Sequence, residues 1–176
     1  LGTVAALVSV LFGWLITRSI TVSTARMVAG ADRMAEGDFS FRINIDSKDE
    51  IGMLANSMRA MQTAVQAMIT DADMLAQAAV AGKLGTRADA SRHKGDLHKI
   101  VSGVNSTLDA VIGPLNVAAG YVDRLAKGDV PPRITDAYNG DFNTLKNNLN
   151  ACIDATNQQT NAAKAISMGD LTANVQ

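Results

Sequence analysis

Aromatic residues are scarce: one Trp, two Tyr and four Phe make up 4% of the 176 residues. A compact globule normally buries several large rings, so the shortage argues against one. Abundant Ala, Leu, Met and Val fits long helices packed side by side. The single cysteine, Cys152, excludes a disulfide within the chain and argues for a reducing compartment. Prolines number only three. A formal net charge of −1 leaves no basic field to hold nucleic acid. No Cys/His cluster has metal-ligand spacing. His93 and His98 stand alone in or beside a polar stretch, and neither is read as a ligand or a phosphoacceptor. The sequence therefore offers no catalytic, cofactor-binding or metal-binding constellation, and we read no enzyme in it.

What is present begins with an uncharged run, Leu1 to Ile16, without a strong helix breaker. Its length falls short of the roughly 20 residues that cross a bilayer core. It reads as the C-terminal part of a transmembrane helix, residues 1–17, continuing a span cut upstream. Trp14 stands where an interfacial aromatic is expected. Arg18, Arg26 and Arg33 follow, so the positive-inside rule places everything after about Thr17 in the cytoplasm. The start at Leu1 and a stop inside a repeated motif make the chain read as a fragment.

The remainder repeats. A glycine, a charged residue and an apolar residue recur at Gly37-Asp38-Phe39, Gly82-Lys83-Leu84, Gly128-Asp129-Val130 and Gly169-Asp170-Leu171, with the glycines 45, 46 and 41 residues apart. Four residues after each apolar residue comes another: Ile43, Ala88, Ile134 and Val175. An arginine precedes three of these, at Arg42, Arg87 and Arg133. Thirteen or fourteen residues after each of the first three glycines an acidic–apolar pair opens a helix: Glu50-Ile51, Asp96-Leu97 and Asp141-Phe142. Each unit is thus helix, glycine, connector, acidic residue, helix. Glycine ends the first helix because it accepts a left-handed backbone without penalty. The two apolar residues suit an extended connector pinned to a bundle at two points. The acidic residue favours the positive end of the next helix dipole.

The helices carry heptad seams. After Glu50 the seam runs Ile51, Leu54, Met58, Met61, Val65, Met68, Ala72, Leu75, Ala79. After Asp96 it runs Leu97, Val101, Val104, Leu108, Val111, Leu115, Ala118, Val122, Leu125. The first helix contributes Ile20, Thr24, Met27, Ala31 and Met34. Steps of three and four are the signature of coiled-coil packing. Met58, Met61 and Met68 read as core and not as metal or haem ligands. Met53 is off the seam and is expected to face solvent. Cys152, beside Leu149 and Ile153, reads as a small core residue. Gly113-Pro114 is the one break signal, and a kink or boundary is expected there. A two-helix monomer cannot cover both sides of such seams, so the expected fold is all-α: the membrane helix, then tandem parallel four-helix coiled-coil bundles formed by a homodimer.

Here the residues carry a family. GADRMAEGDFSFRI with DEIGMLANSMRAMQ resembles the HAMP signal-relay domain. MLAQAAVAGKLGTRADAS, GDLHKIVSGVNSTLDAVIGPLNVAAGYVDRLAKGDVPPRITD and YNGDFNTLKNNLNACIDA resemble the tandem HAMP arrays of methyl-accepting chemotaxis proteins. The resemblance implies HAMP units at 18–67, 68–112 and 113–156 and the start of a fourth at 157–176. It implies a relay from a sensory domain upstream to a kinase-controlling coiled coil downstream. A chemotaxis histidine kinase and its coupling protein would then be met only through regions beyond this chain. Sensor histidine kinases and diguanylate cyclases use the same relay domain and are the alternative. The family often has proline 14 residues before the glycine: Pro114 matches, whereas Ser23 and Met68 occupy that place in the first two units. Ala88 is smaller than the usual connector anchor. Gln158-Gln159 lies too early to resemble methylation sites. Small or polar seam layers at Thr24, Ala31, Ala72, Ala79 and Ala118 suit two packings close in energy, so Leu at position 31 or 72 is expected to lock one of them.

Overall fold

The computed structural model describes residues 2–170. Among these, four α-helices and one short 3-10 turn are present and no strand: α1 Gly2–Ala35, α2 Glu50–Val80, the turn Ala90–Arg92, α3 Gly95–Ala126 and α4 Gly140–Ser167. The chain is all-helical as the heptad pattern predicts. It divides into two compact units, Leu1–Val104 and Asn105–Gln176, with the division inside α3.

In the N-terminal unit, α1 and α2 run parallel because the connector between them runs back. Phe39 and Phe41, early in the connector, offer their carbonyls to Gln62 near the middle of α2. Ile43 and Ile45 offer theirs to Arg59, one turn earlier. Ser47 lies against Gly52, at the start of α2. The core consists of Met27 and Met34 from α1, Ile43 and Ile45 from the connector and Ala55 from α2, with Phe39, Phe41, Ile51 and Met58 packed around it. Burying each large apolar side chain of this group is worth roughly 1.5–3 kcal/mol. Ala55 has no exposure at all although it lies off the heptad seam, because it faces the connector. Seam residues Leu54 and Met61 are half exposed, at 50% and 51%. Met53 faces solvent as expected.

In the C-terminal unit, Ile134 of the connector packs toward α4, where Leu149 and Ile153 are buried, Ile153 completely. Pro114 does not end a helix: α3 continues through it to Ala126. The proline ring faces a small groove with Tyr138 and Phe142, and that packing offsets the missing hydrogen bond. Of the kink or boundary expected at Gly113-Pro114, the helix end is therefore ruled out. Cys152, expected as a small core residue, is exposed within the single chain. It stands eleven residues after Asp141, as half-exposed Met61 stands eleven after Glu50.

Candidate functional site

Each recurring glycine closes a helix in the same way. Gly37, Gly82, Gly128 and Gly169 all have positive φ, between 71° and 91°. In each, the residue after the glycine donates its N–H to a carbonyl five residues back: Asp38 to Arg33, Lys83 to Ala78, Asp129 to Arg124 and Asp170 to Ala165. This pairing satisfies carbonyls that a helix end otherwise leaves orphaned. Two of the four ends add a side-chain clamp. Arg33 donates to Asp38, Nε to Oδ2 at 2.9 Å, and lies over the Phe41 ring at 4.3 Å. Arg124 donates to Asp129 at 2.7 Å. The second end has Ala78 and Lys83 in these places.

Asp38 also accepts from the Ser40 hydroxyl at 2.7 Å and the Ser40 N–H at 2.8 Å. Those two bonds, then Arg33, hold its carboxyl at about 2, below the ordinary 3.8. A depressed pKa stabilises the fold above the unfolded value, so the contribution is complete above about pH 4 and is lost as pH falls through about 2. Carboxyl 13C shifts in Ser40→Ala should titrate closer to the ordinary value. Asp129, held by Arg124, and Asp89, held by Ser91, are lowered too.

The helix openers all stand in first turns: Glu50 in α2, Asp96 in α3 and Asp141 in α4. The cap of α2 is the preceding Asp49, whose carboxylate accepts from the Gly52 N–H at 3.1 Å. Asp96 is exposed and pairs with Lys99 at 2.8 Å.

The connector anchors are unequal. Ile43, Ala88 and Ile134 are buried. Phe39 and Val130 are half-buried, with Pro131 fully buried beside Val130. Leu84 is 42% exposed, so of the two apolar anchors of the second connector only Ala88 is buried within the chain. Leu171, like Val175, lies outside the described residues.

Sequence reasoning missed the residues that hold the connectors. Arg59 stands nine residues after its opener and donates to the carbonyls of Ile43, at 3.1 Å, and Ile45. Asn150, nine after Asp141, grips both polar groups of Ile134: its Oδ1 accepts from the N–H at 2.7 Å and its Nδ2 donates to the carbonyl at 3.1 Å. Asn105 occupies the same register after Asp96. Aligning the three openers exposes this position as a polar residue that recurs inside an apolar seam region. Also missed was a buried pair, Asp71 and His93, Oδ2 to Nε2 at 2.6 Å.

Upstream, α1 holds the one helix among the described residues that is long and apolar enough to cross a membrane, with none of that apolar stretch buried. Arg18 lies over the Trp14 ring at 5.0 Å. No group of three or more His, Cys, Asp or Glu suited to a metal occurs among the described residues.

Helix ends closed alike, back-running connectors and acidic openers define a repeated relay module, and comparison identifies it. HAMP domain models match residues 15–67 and 92–158, so the chain belongs to the HAMP family and carries two such domains in tandem. It is similar to the methyl-accepting chemotaxis protein McpA of Bacillus subtilis, 35% identical over 65 residues, which is 37% of this chain and 10% of that protein. It is similar to the methyl-accepting chemotaxis protein TlpA of the same organism, 44% identical over 48 residues, 27% of this chain and 7% of that protein. A putative sensory transducer protein of Acetivibrio thermocellus is 38% identical over 58 residues, 33% of this chain and 10% of that protein. The chain thus spans a tenth or less of these relatives.

Proposed function

We propose that the chain is the membrane-exit and signal-relay segment of a bacterial chemoreceptor, without catalysis of its own. It lies in the cytoplasmic membrane through residues 1–17, with the remainder in the cytoplasm. It passes a conformational change from a sensory domain toward a kinase-controlling coiled coil. Its units fall at 18–67, 68–112 and 113–156, with a fourth beginning at 157. Its first partner is a second copy of itself, and the chemotaxis kinase and coupling protein act through regions beyond the chain.

The observation that carries this reading is the state of the seams. Met27, Met34 and Val101 are buried within one chain, yet Ile20, Leu54, Met61, Val104, Val111, Leu115 and Val122 on the same heptad lines stay exposed. Apolar stripes at heptad spacing gain their burial from a partner helix. The partner of matching register is the same chain in parallel.

A spin label on Cys152, the sole cysteine, tests the pairing in lipid bilayers. The reading expects a single short interchain distance that vanishes on dilution with unlabelled chain. A monomer, or an antiparallel pair, contradicts it.

A further inference from the structure

The second unit is held differently from its neighbours. In the second and third units the position eleven residues before the closing glycine and the position three residues before the next opener come together. In the third unit these are Val117 and Tyr138, which line one apolar groove. In the first unit they are Arg26 and Ser47. In the second they are Asp71 and His93, both buried, with His93 Nε2 2.6 Å from Asp71 Oδ2. Arg92 lies on the outer side, 3.9 Å from Asp71 Oδ1, and is largely exposed. The pair ties the far end of the second connector to the middle of α2.

Two further features set this unit apart. Its helix end lacks the arginine–aspartate clamp, having Ala78 and Lys83 where the first and third units have Arg33–Asp38 and Arg124–Asp129. Its connector anchor is Ala88, and beside Asp71 a narrow apolar groove of about 190 Å3 is bordered by Ala72, Leu75, Ala88 and Val101. Small side chains leave room there for the layer to repack. A buried hydrogen-bonded pair adds modest net stability, but removing one partner leaves the other's buried polar group unsatisfied. Such a contact selects one arrangement sharply and contributes little to the total, which suits a switch better than a strut.

We propose that Asp71 and His93 form a latch: closed, it seats the second connector on α2; open, it frees the second unit to repack while the first and third stay shut. This rests on the relay reading for its purpose, but not for its existence.

The test uses this chain in lipid nanodiscs. Amide exchange is followed in residues 38–47, 81–94 and 129–138, together with helical ellipticity and the Cys152 interchain distance. Asp71→Asn and His93→Phe are each expected to speed exchange in 81–94 at least tenfold, with the other two segments and the ellipticity unchanged. The double variant Asp71→Val/His93→Tyr, which rebuilds the third unit's pair, is expected to restore protection. Unchanged exchange in both single variants overturns the latch. So does acceleration of all three segments together, or a double variant no better than the singles. If 81–94 opens selectively while the Cys152 distance stays fixed, the latch stands and the relay reading fails.

Discussion

Gly52→Ala is expected to unseat the start of α2. A Cβ at this position would lie 1.8 Å from the Ser47 carbonyl oxygen and 2.6 Å from its carbon. Both atoms belong to backbone, so no side-chain rotation relieves the overlap. The connector must lift from the helix, and the bond from the Gly52 N–H to Asp49 is pulled apart with it. Overpacking of well-filled sites costs about 1–3 kcal/mol, and a backbone collision belongs at or above the top of that range. The damage should stay in the first unit: exchange in residues 43–52 rises while 129–138 keeps its protection. Gly120→Ala is the control. It lies within α3, with nothing within 4 Å of the new Cβ, and should gain roughly 0.5–1 kcal/mol from restricted backbone freedom. Equal effects of the two substitutions would contradict the close approach at Gly52.

Asn150→Ala should be nearly as severe in the third unit. It strands the N–H and the carbonyl of Ile134, both gripped by one side chain at a buried position. Each unsatisfied buried group costs about 1–3 kcal/mol, so a loss of about 2–6 kcal/mol is expected in denaturant unfolding of that unit. Asn150→Asp keeps an acceptor for the N–H but turns a second oxygen toward the carbonyl, and should recover only part. Asn147→Ala, one turn earlier and exposed, should change stability little. A mild Asn150→Ala would mean that the connector is held by apolar packing alone.

The all-helical fold and its repeat were legible because their signals are local. A glycine that must take positive φ, an acid in a first turn and a three–four apolar step depend only on near neighbours. Long-range pairings were not legible. Arg59 and Asn150 act through backbone groups 14 to 16 residues away, and backbone leaves no mark in composition. Asp71 and His93 are 22 residues apart; His93 read as a lone histidine in a polar stretch, and nothing near Asp71 marked it as its partner. Gly52 carried no sequence signal of its own, although its missing Cβ is what lets Ser47 approach. Pro114 does not end α3 although an interior proline costs about 3 kcal/mol, because its ring borders a groove with Tyr138 and Phe142. Cys152 shares the register of Met61, eleven residues after its opener, and like Met61 it is exposed within one chain. Leu84 fits the connector pattern yet stands exposed, so a pattern inherited through a repeat does not guarantee the contact in every copy.

The central claim is that a displacement at the membrane helix reaches α4. Moving the aromatic anchor by one residue, with Trp14→Leu and Leu15→Trp together, imposes such a displacement without any ligand, because interfacial tryptophan sets the depth and rotation of a membrane helix. The reporter is the spin-labelled Cys152 pair in bilayers, in the parent chain and in the shifted variant. The account predicts a changed interchain distance distribution at Cys152 with helical content preserved. An identical distribution in the two chains, with the shifted tryptophan shown to sit at the lipid interface, would contradict it.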